Sequence, residues 1–198
     1  RTQALSVDRS WMNQLMAQKA MDAGAGYVLG CKATAVDINE KRVKLRTENR
    51  SGRGIIEGRV LLVAAGFNPD MTCQTGLGRV GDHATGAQVR VEAAGADELQ
   101  VFLGSRFAPG FFGWLEPVGG GEALVGLLCR KKAKACLENF LAHLNTIKPV
   151  KPTGKPDYRG VSLKPLKQTY GRRLLALGDS AGLVKPLTGG GVYYGLKA

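Results

Sequence analysis

The period of apolar and polar residues changes several times along the chain, and each change marks an element. Trp11, Met12, Leu15, Met16, Ala20 and Ala23 recur at helical spacing. They predict a helix over 9–23 with one apolar face on a core, opened by Asp8 and ended by Gly24 and Gly26. Residues 1–7 read as short and extended, and Tyr27-Val28-Leu29-Gly30 as a strand. Lys32–Asp37, Arg42–Thr47 and Gly54–Arg59 predict an antiparallel meander, with turns at Asn39-Glu40-Lys41 and Arg50-Ser51-Gly52. In Val43-Lys44-Leu45-Arg46 the alternation sends the basic side chains outward, onto a solvated face. Val60 to Gly66 is wholly apolar, the pattern of a strand buried on both faces of a parallel sheet.

Residues 67–78 read as a connector with Pro69, Gly76 and Gly78. Arg79–Ala94 and Glu98–Ser105 predict long strands of a second sheet. Gly119–Gly121 form a turn from which Glu122–Cys129 returns as a strand. Ala133, Cys136, Leu137, Phe140, Leu141 and Leu144 share one face of a helix over 131–145. The Pro- and Lys-rich stretch 146–160 reads as a surface loop, and Val161–Leu166 leads back to a short buried strand at Leu174–Leu177.

That last strand opens the stretch richest in chemistry. Gly178-Asp179 ends it, a glycine-rich turn follows, and Gly189-Gly190-Gly191 lead into a helix start at Val192-Tyr193-Tyr194-Gly195-Leu196. Glycines let a backbone come close to a ligand, because no Cβ intervenes. Free N–H groups at a helix start favour an anion or an electron-rich carbonyl. Asp179 can accept hydrogen bonds from a ligand hydroxyl. A plain strand–turn–helix and a cofactor cradle both fit these residues.

The run Gly178 to Leu196 resembles the second FAD-binding motif of flavoproteins with the p-hydroxybenzoate hydroxylase fold. More narrowly, with its Lys185-Pro186 and Tyr193-Tyr194-Gly195 flanks, it is similar to the geranylgeranyl reductase family. The resemblance implies that Asp179 binds the ribityl chain of FAD. It places Pro186 and Gly189, Gly190 and Gly191 by the flavin pyrimidine edge, with Gly178 also at the cofactor. Val7-Asp8-Arg9 is similar to the family's helix opening, whose Arg reaches the FAD pyrophosphate. A cation at a helix start opposes the dipole, which a phosphate partner for Arg9 would rationalise. The segment Phe112-Gly113-Trp114-Leu115-Glu116-Pro117 is similar to the family's aromatic-x-Trp-x-x-Pro stretch, which lines the isoprenoid pocket. Phe112, Trp114 and Pro117 are then substrate-binding; ordinary strand core is the competing reading.

The resemblance covers nearly the whole chain and implies a mixed α/β fold. A partial FAD/NAD(P)-binding Rossmann-like domain with a β-meander (1–68) is followed by an antiparallel-sheet substrate domain with a helix (69–163). Residues 164–198 return to the first domain with the flavin-proximal motif. The implied reaction is reduction of isoprenoid C=C bonds by hydride from reduced FAD. The geranylgeranyl group is carried on a diphosphate, a lipid or a chlorophyll precursor. The chain departs from the pattern in three places. No Gly-x-Gly-x-x-Gly unit lies between a buried strand and a helix, so the chain reads as a fragment that binds FAD weakly or not at all by itself. Ala65 stands where related flavoproteins carry an Asp that contacts FAD and pyridine nucleotide, so the usual docking of NAD(P)H is not implied and the electron donor, NAD(P)H or ferredoxin, stays open. Phe112 replaces a frequent Tyr, so any hydroxyl role is absent there.

Composition changes this picture in one respect. A hydrophobic content of 44% and a charged content of 22% are ordinary, but the net charge of +12 points to an acidic partner. Aromatics make up only 7% and form no basic–aromatic strip, so nucleic acid is not expected. Arg130-Lys131-Lys132-Ala133-Lys134 opens a helix against its dipole; it is a solvated face or a contact for anionic headgroups. The expected location is the cytoplasm, with peripheral membrane contact as an extension. Cys31, Cys73, Cys129 and Cys136 form no Cys-x-x-Cys pair and read as reduced, mostly buried thiols, with no metal site. No proton donor emerges. Two other function classes remain: a different flavoprotein of the same fold (an aromatic monooxygenase or a quinone-linked dehydrogenase), and a non-enzymatic basic module for nucleic acid or anionic membrane.

Overall fold

The computed structural model describes residues 7–197, so the extended stretch expected over 1–7 lies, apart from Val7, outside the described residues. Helix α1 (Arg9–Asp22) starts where the Asp8 side chain accepts from the backbone N–H groups of Ser10 and Trp11, at 2.8 and 3.1 Å. This cap satisfies donors that the first helical turn leaves free. The expected packing of its apolar face is not found. The helix buries no residue, and Trp11 is 61% exposed. Asp8→Ala should cost α1 about 1 kcal/mol. The expected result is lost helical circular dichroism with the main unfolding transition unmoved; a shifted main transition would show that α1 is tied to a core.

Residues 27–30 do not form a strand: Val28 and Leu29 are 62% and 84% exposed, and no strand pairs with them among the described residues. A strand satisfies none of its backbone groups alone, so an apolar run without a neighbour stays irregular. The meander does form, as β1 (Lys32–Ile38), β2 (Val43–Asn49) and β3 (Gly52–Gly58) in that antiparallel order. Next comes β4 (Leu61–Val63). The expected connector then contains a helix, α2 (Pro69–Gln74). Asn68 caps it by accepting from Met71 N–H at 3.1 Å, and Pro69 suits the first turn, where its missing N–H costs nothing.

The second sheet is built from β5 (His83–Glu92), β6 (Gln100–Leu103), β7 (Phe112–Gly119) and β8 (Glu122–Cys129). After α3 (Ala133–Ile147) come β9 (Lys151–Pro152) and β10 (Asp157–Ser162). The loop expected over 146–160 is therefore partly sheet: β9 and β10 both pair along β5, in the order β10-β5-β8-β7-β6. Proline and lysine here mark an exposed edge, where an unpaired outer side is tolerated. Helix α3 covers one face of the sheet. Leu137, Phe140 and Leu144 pack on Val89, Val91, Leu115, Val125 and Leu127. The Phe140 ring sits so close to Gly113 that a Cβ there would come within 2.7 Å of it. Among the described residues no helix covers the other face of the sheet.

The chain returns through β11 (Tyr170–Gly171) and β12 (Leu174–Ala176), and β12 pairs in parallel with β4. Val63, Leu77, Leu166, Leu174, Ala176 and Ala181 form a second, smaller core, to which Met71 and Val80 also attach. Arg173 turns the β11–β12 corner at φ 54 and donates to the carbonyls of Glu40 and Arg59, both at 2.9 Å. This fastens the meander to the small sheet. A 3-10 turn (Gly178–Ala181) and a short helix α4 (Val192–Lys197) complete the described chain. No helix among the described residues is long and apolar enough to cross a membrane.

Candidate functional site

The site begins where the two parallel strands end. Leu177 N–H donates to Val63 O at 2.9 Å, one step beyond the β4–β12 ladder, and the chain then tightens into the 3-10 turn. Buried Ser180 fixes that turn by donating from Oγ to Gly66 O at 2.9 Å. Buried Ser162 donates to Asp179 O at 3.3 Å, linking the end of β10 to the same turn. Residues 185–190 close on themselves: Lys185 N–H reaches Gly190 O and Gly189 N–H reaches Lys185 O, at 3.1 and 2.8 Å.

These contacts frame a cavity of about 410 Å³ lined by Arg9, Ala64, Gly66, Gly178, Asp179, Gly189 and Gly191, among others. Of the residues singled out by sequence, Arg9, Gly178, Asp179, Gly189 and Gly191 meet here. Pro186 and Gly190 belong to the closed 185–190 loop and do not line this cavity. A Cβ on Gly191 would collide with the Asp179 carboxylate. Glycine at 191 is thus what lets the carboxylate stand in the cavity wall. Asp179 is half-buried, and its side chain accepts no hydrogen bond among the described residues. Burial pushes its pKa above the ordinary carboxylate range, and the nearby Arg9 charge pulls it back. The cavity therefore offers a desolvated acceptor beside a cation, in a wall kept thin by glycine. That combination suits a ligand with hydroxyls near one end and negative charge farther along.

A second cavity, about 260 Å³, opens on the helix-free face of the six-stranded sheet. Trp114, Leu128 and Val161 supply its apolar lining, and Gln88, Asp157, Arg159 and Thr188 its polar groups. The Trp114 ring lies over Gly126, where a Cβ would clash with it. Phe112 stands beside Trp114 at 6.0 Å between ring centroids. Pro117 falls elsewhere. Strand alternation puts it with Gly113 and Leu115 on the face toward α3, and it lines neither cavity. Gly189 borders both cavities.

Sequence reasoning missed Gln88, Asp157, Arg159 and Thr188. Asp157-x-Arg159 carries the i, i+2 spacing of one strand face. Reading the segment as a loop hid that signal, while Thr188 sat in view inside the glycine motif.

The cysteines stand apart from this chemistry. Cys129 and Cys136 are buried, Cys31 is half-buried and Cys73 is exposed, so two of the four thiols expected to be mostly buried are fully so. Burial, and then the adjacent Cys136, push the Cys129 thiol up to about 11. At pH 8 a thiol of that pKa is about one part in a thousand thiolate. Iodoacetamide at pH 8 should alkylate Cys73 within minutes and leave Cys129 untouched until denaturant is added, as peptide mass mapping will show. Alkylation of Cys129 in the native protein would contradict its place in the core.

The architecture is one found in flavin-dependent enzymes. A flavin-dependent halogenase superposes on 98% of the chain with a TM-score of 0.74 at 14% identity, over 38% of its own length. A geranylgeranyl bacteriochlorophyll reductase-like protein from Thermoplasma acidophilum superposes more closely. Its TM-score is 0.83 at 23% identity, covering 96% of this chain and 51% of that one. No family model matches the chain. In sequence it is 28% identical over 197 residues to digeranylgeranylglycerophospholipid reductase 2 of Methanothermobacter thermautotrophicus, covering 94% of this chain and 51% of the relative. The chain is thus similar to several proteins named digeranylgeranylglycerophospholipid reductase, and it spans about half the length of these curated relatives.

Proposed function

We propose that the protein carrying this chain is an FAD-dependent reductase of C=C bonds in prenyl lipids or prenyl diphosphates. In this reading the chain supplies the flavin-proximal half of the cofactor site, from 1–68 and 164–198, and the substrate domain, from 69–163. The observation that carries it is Gly189, which borders both the cavity of Asp179 and the cavity of Trp114. A cofactor edge and an apolar chain can therefore meet across one residue that has no side chain.

The residues present fit the flavin. Asp179, an acceptor without a hydrogen-bond donor among the described residues, takes the ribityl hydroxyls. Arg9 stands near it to neutralise the pyrophosphate. Gly178, Gly189 and Gly191 leave room for the ring edge, and Pro186 and Gly190 hold the loop that presents it. FAD, once bound and reduced, would supply hydride to one alkene carbon and return to its oxidised form, and a proton would complete the addition at the other carbon. Trp114, Phe112 and Leu128 hold the chain and exclude water from it. NAD(P)H or ferredoxin supplies the electrons. The protein works in the cytoplasm, at the surface of the membrane whose lipids it reduces, with no nucleic acid involved.

The test is made on the whole protein with its flavin reduced in the absence of oxygen. Addition of a geranylgeranyl lipid should reoxidise the flavin, with a matching two-hydrogen mass gain in the lipid. Flavin that stays reduced with every prenyl lipid, yet reoxidises with quinone or inserts oxygen into an aromatic, would move the protein to another branch of the fold. A protein that binds no flavin but binds polyanions in a salt-sensitive way would be the basic module instead.

A further inference from the structure

The second cavity is amphipathic, and its polar side carries a charge that the prenyl chain itself does not require. Trp114, Leu128 and Val161 give it an apolar wall, and Asp157 and Arg159 enter from the edge strand β10. Arg159 lies opposite Gly86 in the β10–β5 register, and Asp157 opposite Gln88. A glycine opposite leaves nothing to cover the arginine. Asp157 Oδ2 takes the Nε of Arg159 at 2.9 Å, and the two terminal nitrogens make no hydrogen bond among the described residues. Arg159 is 80% exposed and Asp157 63%, so the contact at Nε leaves the other edge of the guanidinium facing solvent, as a fork that fits two oxygens of one phosphate.

We propose that Arg159 recognises a phosphate on the head of the prenyl substrate, with Asp157 as the residue that positions it. This rests on the prenyl-reductase reading and narrows it to prenyl substrates with an anionic phosphate head, against neutral prenyl alcohols and esters. The apolar wall takes the isoprenoid units next to the head, the Thr188–Gly189 turn brings the cavity to the cofactor side, and β10 anchors the head at the sheet edge. The +12 charge of the chain favours approach of such an anion from a distance.

The experiment uses the whole flavin-loaded enzyme with Arg159→Gln and Arg159→Lys. Three substrates are compared: geranylgeranyl diphosphate, digeranylgeranylglycerophospholipid and geranylgeraniol. Losing a charge-assisted pair should raise KM for the phosphate substrates about 10- to 100-fold in Arg159→Gln. The same variant should leave kcat, and all constants for geranylgeraniol, within about twofold, and Arg159→Lys should recover part of the loss. A KM effect on one phosphate substrate alone identifies whether the head is a free diphosphate or a lipid headgroup. Equal losses on geranylgeraniol, or no change on either phosphate substrate, would overturn the assignment. If wild-type protein reduces none of the three, the reductase reading fails on its own. Tryptophan fluorescence titrated with geranylgeranyl diphosphate then still decides Arg159: at least tenfold weaker binding in Arg159→Gln supports it, and equal binding overturns it.

Discussion

Gly182→Ala is expected to destabilise the protein by about 3 kcal/mol, the sum of two independent costs. Gly182 caps the 3-10 turn at φ +73, and its N–H donates to Asp179 O at 3.1 Å. A Cβ in that left-handed conformation costs about 1–2 kcal/mol. The same Cβ would also run into Lys164 O and Pro165 Cα. These are backbone atoms, which no rotamer change can move aside, so overpacking adds about 1–3 kcal/mol. In a chain of this size each kcal/mol moves the melting temperature by about 2–4 °C, so thermal circular dichroism should show a fall of about 6–12 °C. Gly154→Ala is the control, because a Cβ there meets nothing within 4 Å and its φ is not positive. If both variants melt with the parent, the turn that carries Asp179 is not built on this contact.

That turn was legible in the sequence because its parts are contiguous. Strand, glycine, carboxylate and turn follow one another from Leu174 to Gly191, so the chemistry could be placed without any long-range partner. Where the sequence misled, the deciding neighbour lay elsewhere in the chain. Among the described residues Tyr27–Gly30 has strand composition but no strand to pair with, and Trp11 has helical spacing but no core to meet. Asp157–Ser162 looks like a loop until β5 is set beside it, and only then do Asp157 and Arg159 come onto one face with Gln88. Pro117 fits a motif spacing, but the two-residue period of its own strand turns it away from Trp114. Patterns of chemistry survive in sequence when the fold uses them locally; pairing across a sheet edge leaves only composition behind.

Asp179→Asn is expected to move stability and cofactor affinity in opposite directions. Burial raises the folded-state pKa of Asp179, with Arg9 opposing. The unfolded chain therefore gives up this proton more readily than the folded one. Stability is unaffected by the group below the ordinary carboxylate value of about 3.9. It falls as pH rises from there through the raised folded value, and above that value the whole penalty is present. Asparagine keeps the shape and an acceptor but carries no charge to desolvate. The variant without cofactor should therefore melt higher than the parent at pH 7, and the gap should close as the pH approaches 4. Cofactor binding should respond the other way. A carboxylate that accepts from ribityl hydroxyls contributes about 1.5–3 kcal/mol more than an unmade bond, so flavin affinity in the whole protein should fall about 10- to 100-fold. A residue that only shaped the turn would lower stability and affinity together. Fluorescence titration of the flavin beside a melting curve at two pH values separates these outcomes. An Asn variant that melts lower at pH 7 and holds flavin as tightly as the parent would remove Asp179 from the cofactor site.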